Sequence, residues 1–252
     1  MICHELYQQW KEEECVARIK GWDFSHISGR YEEEERLPWN YKGIILKYLR
    51  ADDRLLDIDT GGGEFLLSLG HQPENTYATE GYPPNYALCR ETLEPRGIRL
   101  ACVADEDAFP WPDSHFDMII NRHGHMNLEE IFRTLKHGGL FITQQVGEDN
   151  DRKLVELLTP EAEKQFPGMN LKDQQKLLKQ AGFRLLDGGE SFDPIRFFDV
   201  GALVWFARII SWEFIGFSVD SHLEGLEKAQ RILEEEGEIT GRTHRFFILA
   251  GK

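Results

Sequence analysis

The sequence predicts an α/β fold, a doubly wound and mainly parallel sheet of seven strands with helices on both faces. Three observations carry that prediction. Short apolar runs alternate with helix-patterned segments from residue 40 onward. Pro opens and Gly closes helical segments, as helix ends favour. The first apolar run, "RLLDID", leads straight into Gly61, Gly62 and Gly63 and then into another helical pattern. Strands that alternate with helices are joined by crossovers and pair in parallel. Right-handed crossovers in both directions then cover both faces of the sheet.

Each element follows in order. Residues 1–39 read as a mostly helical lead-in, and Trp39–Arg50 as an amphipathic helix with Ile44, Ile45, Tyr48 and Leu49 on one side. "RLLDID" is a buried strand and "EFLLSLG" a short helix stopped by Gly70. "TYATE" is the second strand, "PPNYALCRETLEPRG" a helix, "IRLACV" the third strand and "FDMIIN" the fourth. "NLEEIFRTLKHGG" reads as a helix with an Asn cap and a Gly-Gly stop, and "LFITQQV" as the fifth strand. Beyond residue 150 come a helix, "LKDQQKLLKQAG", a sixth strand, "FRLLDGG", an aromatic-rich stretch from Phe192 to Phe217, and a charged helix, Ser221 to Glu236. "RFFILAGK" closes the chain as a strand expected to return to the sheet. Residues 1–252 therefore read as one domain. Its parts are the lead-in 1–39, a core 40–150, and a C-terminal half 151–252 with a helical, aromatic-rich insertion at about 190–240.

Composition narrows the function classes. The net charge is −15 and no basic stripe is visible, which argues against a nucleic-acid partner, whose binding rests on Lys and Arg. Acidic runs at Glu12–Glu14, Glu32–Glu35 and Glu234–Glu236 read as solvated faces. No apolar run reaches the roughly 20 residues of a membrane helix, and no secretory leader is visible. Cys3, Cys15, Cys89 and Cys102 show no paired spacing, so reduced thiols in a cytoplasmic protein are expected.

A glycine turn between strand and helix lets a ligand lie against the backbone. A phosphate-binding loop ends in GK[ST], and no Lys follows Gly63. The dinucleotide fingerprint is G-x-G-x-x-G. Gly61 and Gly63 match its first two glycines, but Leu66 stands at the third. A third ligand class is S-adenosylmethionine. Asp57-Ile58-Asp59-Thr60-Gly61-Gly62-Gly63 resembles motif I of the class I S-adenosylmethionine-dependent methyltransferases, D/E-x-G-x-G-x-G, with Asp59 at the first glycine place. An acid there can hydrogen-bond the ammonium of the methionine moiety or crowd the turn.

Other stretches carry the same resemblance. "ATEGY" ends the second strand with Glu80 and Gly81, where the family's acid receives the ribose hydroxyls. Asp105 falls where its next acid receives the adenine amino group, and Glu106 where a backbone amide lies near the adenine ring. Phe109-Pro110-Trp111 matches an "LPF"-like element, and "LKHGG" an "LKPGG" turn with His137 in place of Pro. The resemblance covers Trp39 to Val146 well and Leu171 to Gly188 loosely. It implies a Rossmann-like sheet and a cofactor held by Asp57, Asp59, Thr60, Gly61, Gly63, Glu80, Gly81, Asp105, Glu106 and Asn121.

Methyl transfer from a sulfonium is an in-line displacement, so positioning matters more than acid–base chemistry. The loop after the fourth strand, "NRHGHMN", is where acceptor groups are expected. Arg122 can hold an anion, and His123 or His125 can act as a base; His123 is the catalytic candidate. Two histidines do not make a metal site, and none is expected. Gln144 and Gln145 end the fifth strand near the same edge. Trp205 and Trp212, with Arg196, read as an acceptor lid or as core, and Arg30, Tyr31 and Trp39 as residues that close over the cofactor. The favoured partner is a small-molecule acceptor. The rivals are an NAD(P)-dependent oxidoreductase, which lacks a Tyr-x-x-x-Lys pair here, and a non-catalytic S-adenosylmethionine-binding protein.

Overall fold

Seven apolar runs do assemble into one sheet. Its strands are β1 (Leu55–Ile58), β2 (Thr76–Glu80), β3 (Arg99–Cys102), β4 (Phe116–Arg122), β5 (Leu135–Val146), β6 (Arg184–Ser191) and β7 (Arg245–Gly251). In space they run 3-2-1-4-5-7-6. β1 pairs in parallel with β2 and β4, β2 with β3, and β4 with β5, whereas β7 runs antiparallel to β5. The computed structural model describes residues 4–18, 23–34, 36–104 and 107–252.

Alternation along the strands builds two cores. Leu56 and Ile58 of β1, Ile119 of β4 and Phe141 of β5 face one side, where Ile131, Leu178 and Phe183 pack on them. Leu55, Met118, Ile120 and Ile142 face the other side, against Tyr41, Ile45, Leu66 and Cys89. Asp57 shares that second face and is only 4% exposed. Strand order reverses between β1 and β4, so the crevice outside their carboxyl ends is the place for a ligand.

The helix after β4 is shorter than its pattern predicts. It spans Leu128–Thr134, and β5 begins at Leu135 instead of after the two glycines. The carbonyls of Arg133 and Thr134 accept the N–H groups of Ser114 and His115, and Leu135 goes into the core, paired with Phe116. Tertiary hydrogen bonds thus override the local signal. Asn127 caps the helix as expected, its side chain accepting from Glu130 N at 3.2 Å. Asn127→Ala is expected to lower stability by about 1 kcal/mol, read as a shifted urea midpoint with an unchanged slope.

The chain divides into two compact units. The sheet unit comprises Pro38–Gly147, Gly168–Glu190 and Arg245–Lys252. The other comprises Met1–Leu37, Glu148–Pro167 and Ser191–His244, so the lead-in and the insertion share one body. That unit holds helices His4–Val16, Arg152–Leu158, Val200–Ile209 and Leu223–Glu236. It also holds a three-stranded antiparallel sheet, Tyr31–Glu33, Pro194–Phe197 and Ile239–Arg242, where the sequence pattern gave only helices.

Nine of the ten residues of Val200–Ile209 are buried, which makes it a central helix, apolar all round. Trp205, expected to face an acceptor, is 1% exposed, edge-on to Phe24 and stacked on His26. It is a core residue. Trp212 stays exposed. Arg30 is held between Glu13 and Asp199 at 2.7 Å each, while Asp199 caps the central helix through Ala202 N. Tyr31 stacks on Phe197, and Arg196 pairs with Glu238 at 3.2 Å. These three therefore work within their own unit.

Candidate functional site

β1 delivers its glycine turn at the carboxyl edge of the sheet. Asp59 leaves the strand with φ +53°, and Gly61 and Gly63 follow at +63° and +84°. A left-handed residue is natural for Gly and tolerated by Asp, which is why an acid can stand at a glycine place. β2 holds the turn from below: Asp59 N donates to Thr79 Oγ1 at 3.2 Å and Thr60 N to Thr79 O at 3.0 Å. Cys89 donates its thiol to Gly61 O at 2.9 Å. Gly63 packs on Leu93, where a side chain would collide. Gly61 is different: space is open where its Cβ would stand, so a ligand can approach that backbone.

Four carboxylates surround the turn. Asp57 accepts from Thr60 Oγ1 at 2.7 Å. Burial pushes its carboxyl up to about 7, against the opposing effects of that hydrogen bond and of Arg122. Glu80 is 4% exposed and accepts from Gly61 N and Tyr82 N, both at 2.8 Å. Oε2 also accepts from Asn85 Nδ2 at 3.5 Å, a long bond that a ligand hydroxyl can replace, and Oε1 keeps capacity for a further donor. Gly81, next to it, lies so close to Val103 O that a Cβ would sit at 2.6 Å. Asp59 Oδ2 accepts from His125 N at 2.9 Å. Glu64, the first residue of the following helix, folds its carboxylate over Gly62. That helix spans only Glu64–Ser68, and an acid already fills the place a phosphate would take. Asp105 and Glu106 lie outside the described residues.

The loop after β4 meets the turn. Asn121 was expected to touch a cofactor, but it is fully buried. Its amide nitrogen donates to Ile58 O at 3.2 Å and its amide oxygen accepts from Gln145 Nε2. It fixes the loop and has no surface for a ligand. Gln145 also donates to Gly124 O. Gln144 O accepts from His123 N, and its side chain accepts from Trp39 Nε1 at 2.9 Å. Arg122 lies 4.4 Å over the Phe65 ring, which stacks in turn on Tyr41.

His123 and His125 are both exposed. His123 keeps exposed surface, and the protein around it, then Arg245 and Arg122, lower the pKa of its imidazole. Such a ring is neutral at physiological pH and a weak base, far from the near-neutral value that general-base catalysis favours.

Sequence reasoning missed several supports. Tyr41 donates to Asn121 O and Ile142 O, Thr79 anchors the turn, and Cys89 and Phe65 brace it. Tyr41 had a signal, a hydroxyl on the apolar face of its helix. The others depend on contacts distant in sequence.

Comparison with known proteins agrees with this geometry. Residues 56–143 match the family model described as a methyltransferase domain. A demethylmenaquinone methyltransferase of Thermus thermophilus is 30% identical over 47% of this chain and 62% of its own length. The match thus spans less than two thirds of that relative. A Bacillus halodurans structure, described as a candidate methyltransferase, superposes with a TM-score of 0.58 at 17% identity, over 84% of this chain and 98% of that one. Phosphoethanolamine N-methyltransferase 2 of Haemonchus contortus, solved with S-adenosyl-L-methionine, gives 0.51 at 18% identity, over 85% and 52%. At such identities the two structures show the fold alone.

Proposed function

We propose that the chain, whose residues 56–143 match the methyltransferase-domain model, is a class I S-adenosylmethionine-dependent methyltransferase that binds S-adenosylmethionine and methylates a small-molecule acceptor. One observation carries the choice of cofactor. Asp57, Asp59, Glu64 and Glu80 ring a glycine turn whose Gly61 face is open. Carboxylates repel a pyrophosphate and attract a ligand that bears ammonium and sulfonium charges. NAD(P) is disfavoured on the same ground.

When bound, S-adenosylmethionine supplies a methyl group already activated on sulfur. Glu80 would accept from the ribose hydroxyls, and Gly61 would let the ligand lie against the turn. Arg122, backed by Phe65, presents a cation beside the site and suits an acceptor with an anionic group. The lowered pKa of His123 makes it a weaker base for an acceptor that must lose a strongly held proton. An acceptor atom that is already neutral and nucleophilic, or ionised, fits better. The name of the Thermus relative is consistent with a small-molecule acceptor. We read the compartment as the cytoplasm, where Cys15, Cys89 and Cys102 stay thiols. No helix among the described residues is long and apolar enough to cross a membrane.

Thermal unfolding with S-adenosylhomocysteine, S-adenosylmethionine or NAD tests the reading. A ligand at 100 times its dissociation constant adds about 2.7 kcal/mol. For a chain of this length that is a rise of roughly 5–10 °C, at about 2–4 °C per kcal/mol. The two adenosyl compounds are expected to give that rise and NAD none. A rise with NAD alone would favour the oxidoreductase. A rise with the adenosyl compounds but no turnover across an acceptor panel would favour the non-catalytic binder.

A further inference from the structure

We propose that Asp59 is a positioning residue that pins the loop Arg122–His125 onto the glycine turn and so sets where the acceptor-facing groups stand. The inference rests on the function proposed above only for what that loop faces.

The position is a glycine place in the motif, and a glycine there would offer no side chain. Asp59 adopts the left-handed backbone a glycine would adopt, at φ +53°. Its carboxylate accepts the backbone N–H of His125 at 2.9 Å, a charge-assisted bond across 66 residues of sequence. Gly124 completes the fit. A Cβ on Gly124 would stand 2.6 Å from both Cβ and Oδ2 of Asp59 and 2.7 Å from Asn121 Nδ2. Acid and glycine therefore fit as a pair: a side chain where the motif has none, and none where it presses.

The remaining anchors of the loop come from elsewhere. Asn121 Nδ2 reaches Ile58 O and, at 3.4 Å, His125 O. His123 N reaches Gln144 O, and Gly124 O accepts from Gln145 Nε2 at 3.2 Å. These tie the loop to the ends of β1 and β5. Asp59 alone among these contacts ties it to the glycine turn, by a side chain that directly follows β1. Arg122 and His123 are carried on the pinned segment, and His123 itself sits at φ +64°. A fixed loop holds that conformation.

Hydrogen exchange of the ligand-free protein reads the pin directly, with calorimetric titration of S-adenosylhomocysteine beside it. In Asp59→Gly the backbone need is still met, but the acceptor is lost. Exchange in the peptide covering 121–126 is expected to rise about tenfold, with other peptides unchanged. Asp59→Asn, which keeps an acceptor oxygen and tolerates the left-handed region, is expected to restore most of the protection. Gly124→Ala is expected to loosen the same peptide from the other side. Unchanged exchange at 121–126 in Asp59→Gly overturns the proposal. So does a loss of affinity above tenfold with exchange unchanged, which would make Asp59 a cofactor ligand. Failure of the wild type to bind S-adenosylhomocysteine would overturn the function proposed above and leave the exchange result standing.

Discussion

Glu80→Ala is expected to remove nearly all stabilisation of the protein by S-adenosylmethionine and S-adenosylhomocysteine. Two effects add. In the proposed complex the Glu80 carboxylate accepts two ribose hydroxyls, and a hydrogen bond to a charged group contributes about 1.5–3 kcal/mol. The same carboxylate already holds Gly61 N and Tyr82 N at 2.8 Å, so its loss also frees the glycine turn. A 100-fold fall in affinity is the modest end of that range. At a concentration 100 times the wild-type dissociation constant, stabilisation would drop from about 2.7 to about 0.4 kcal/mol. The rise in melting temperature would shrink to about 1 °C. Comparing each variant with and without ligand separates this from any general loss of stability. Glu80→Gln keeps one acceptor oxygen and is expected to fall between. An undiminished ligand shift in Glu80→Ala would place the ribose elsewhere.

Asp57→Asn is expected to stabilise the ligand-free protein at pH 8 while weakening its hold on the cofactor. Burial raises the Asp57 carboxyl to about 7, against roughly 3.9 in an unfolded chain. The folded state therefore binds more protons than the unfolded state between about pH 4 and pH 7, and stability falls as pH rises through that window. At about 1.4 kcal/mol per unit, the full span is on the order of 4 kcal/mol. The opposing influence comes from Thr60 and Arg122, while Asp59 and Glu80 push the same way as burial. An Asn side chain can still accept from Thr60 and carries no charge to bury. The measurement is urea unfolding of both proteins at pH 5.5 and pH 8. His123, whose pKa is lowered, gives a slope of the opposite sign below pH 6.5, but it is common to both proteins and cancels in the difference. The Asn variant should gain on the wild type as pH rises. Equal stabilities at both values would show that Asp57 is not held near neutrality. A buried acid that destabilises the empty protein makes sense beside a cationic ligand, whose charge would offset it.

The sheet was legible because its signals are local. "RLLDID", "TYATE", "IRLACV" and "FDMIIN" are short apolar runs between helical patterns, and each became the strand its pattern predicts. The Asn127 cap was legible for the same reason. The helix after β4 was overextended because what stops it, the N–H groups of Ser114 and His115 on its last carbonyls, lies before it in the chain. Trp205 was ambiguous because an aromatic-rich segment looks alike as lid or as core. Only packing on Phe24 and His26 decides.

By itself the sequence determined the class of fold, the glycine turn at the end of β1 and the acids near it, since these follow from residue types at short spacing. The tertiary structure decided what those residues do. It turned Asn121 inward as a brace, held His123 well below its usual range, and aimed Asp59 at His125. It also joined the lead-in and the insertion in one unit. Those outcomes depend on burial and on contacts between residues tens of positions apart, which no local pattern contains.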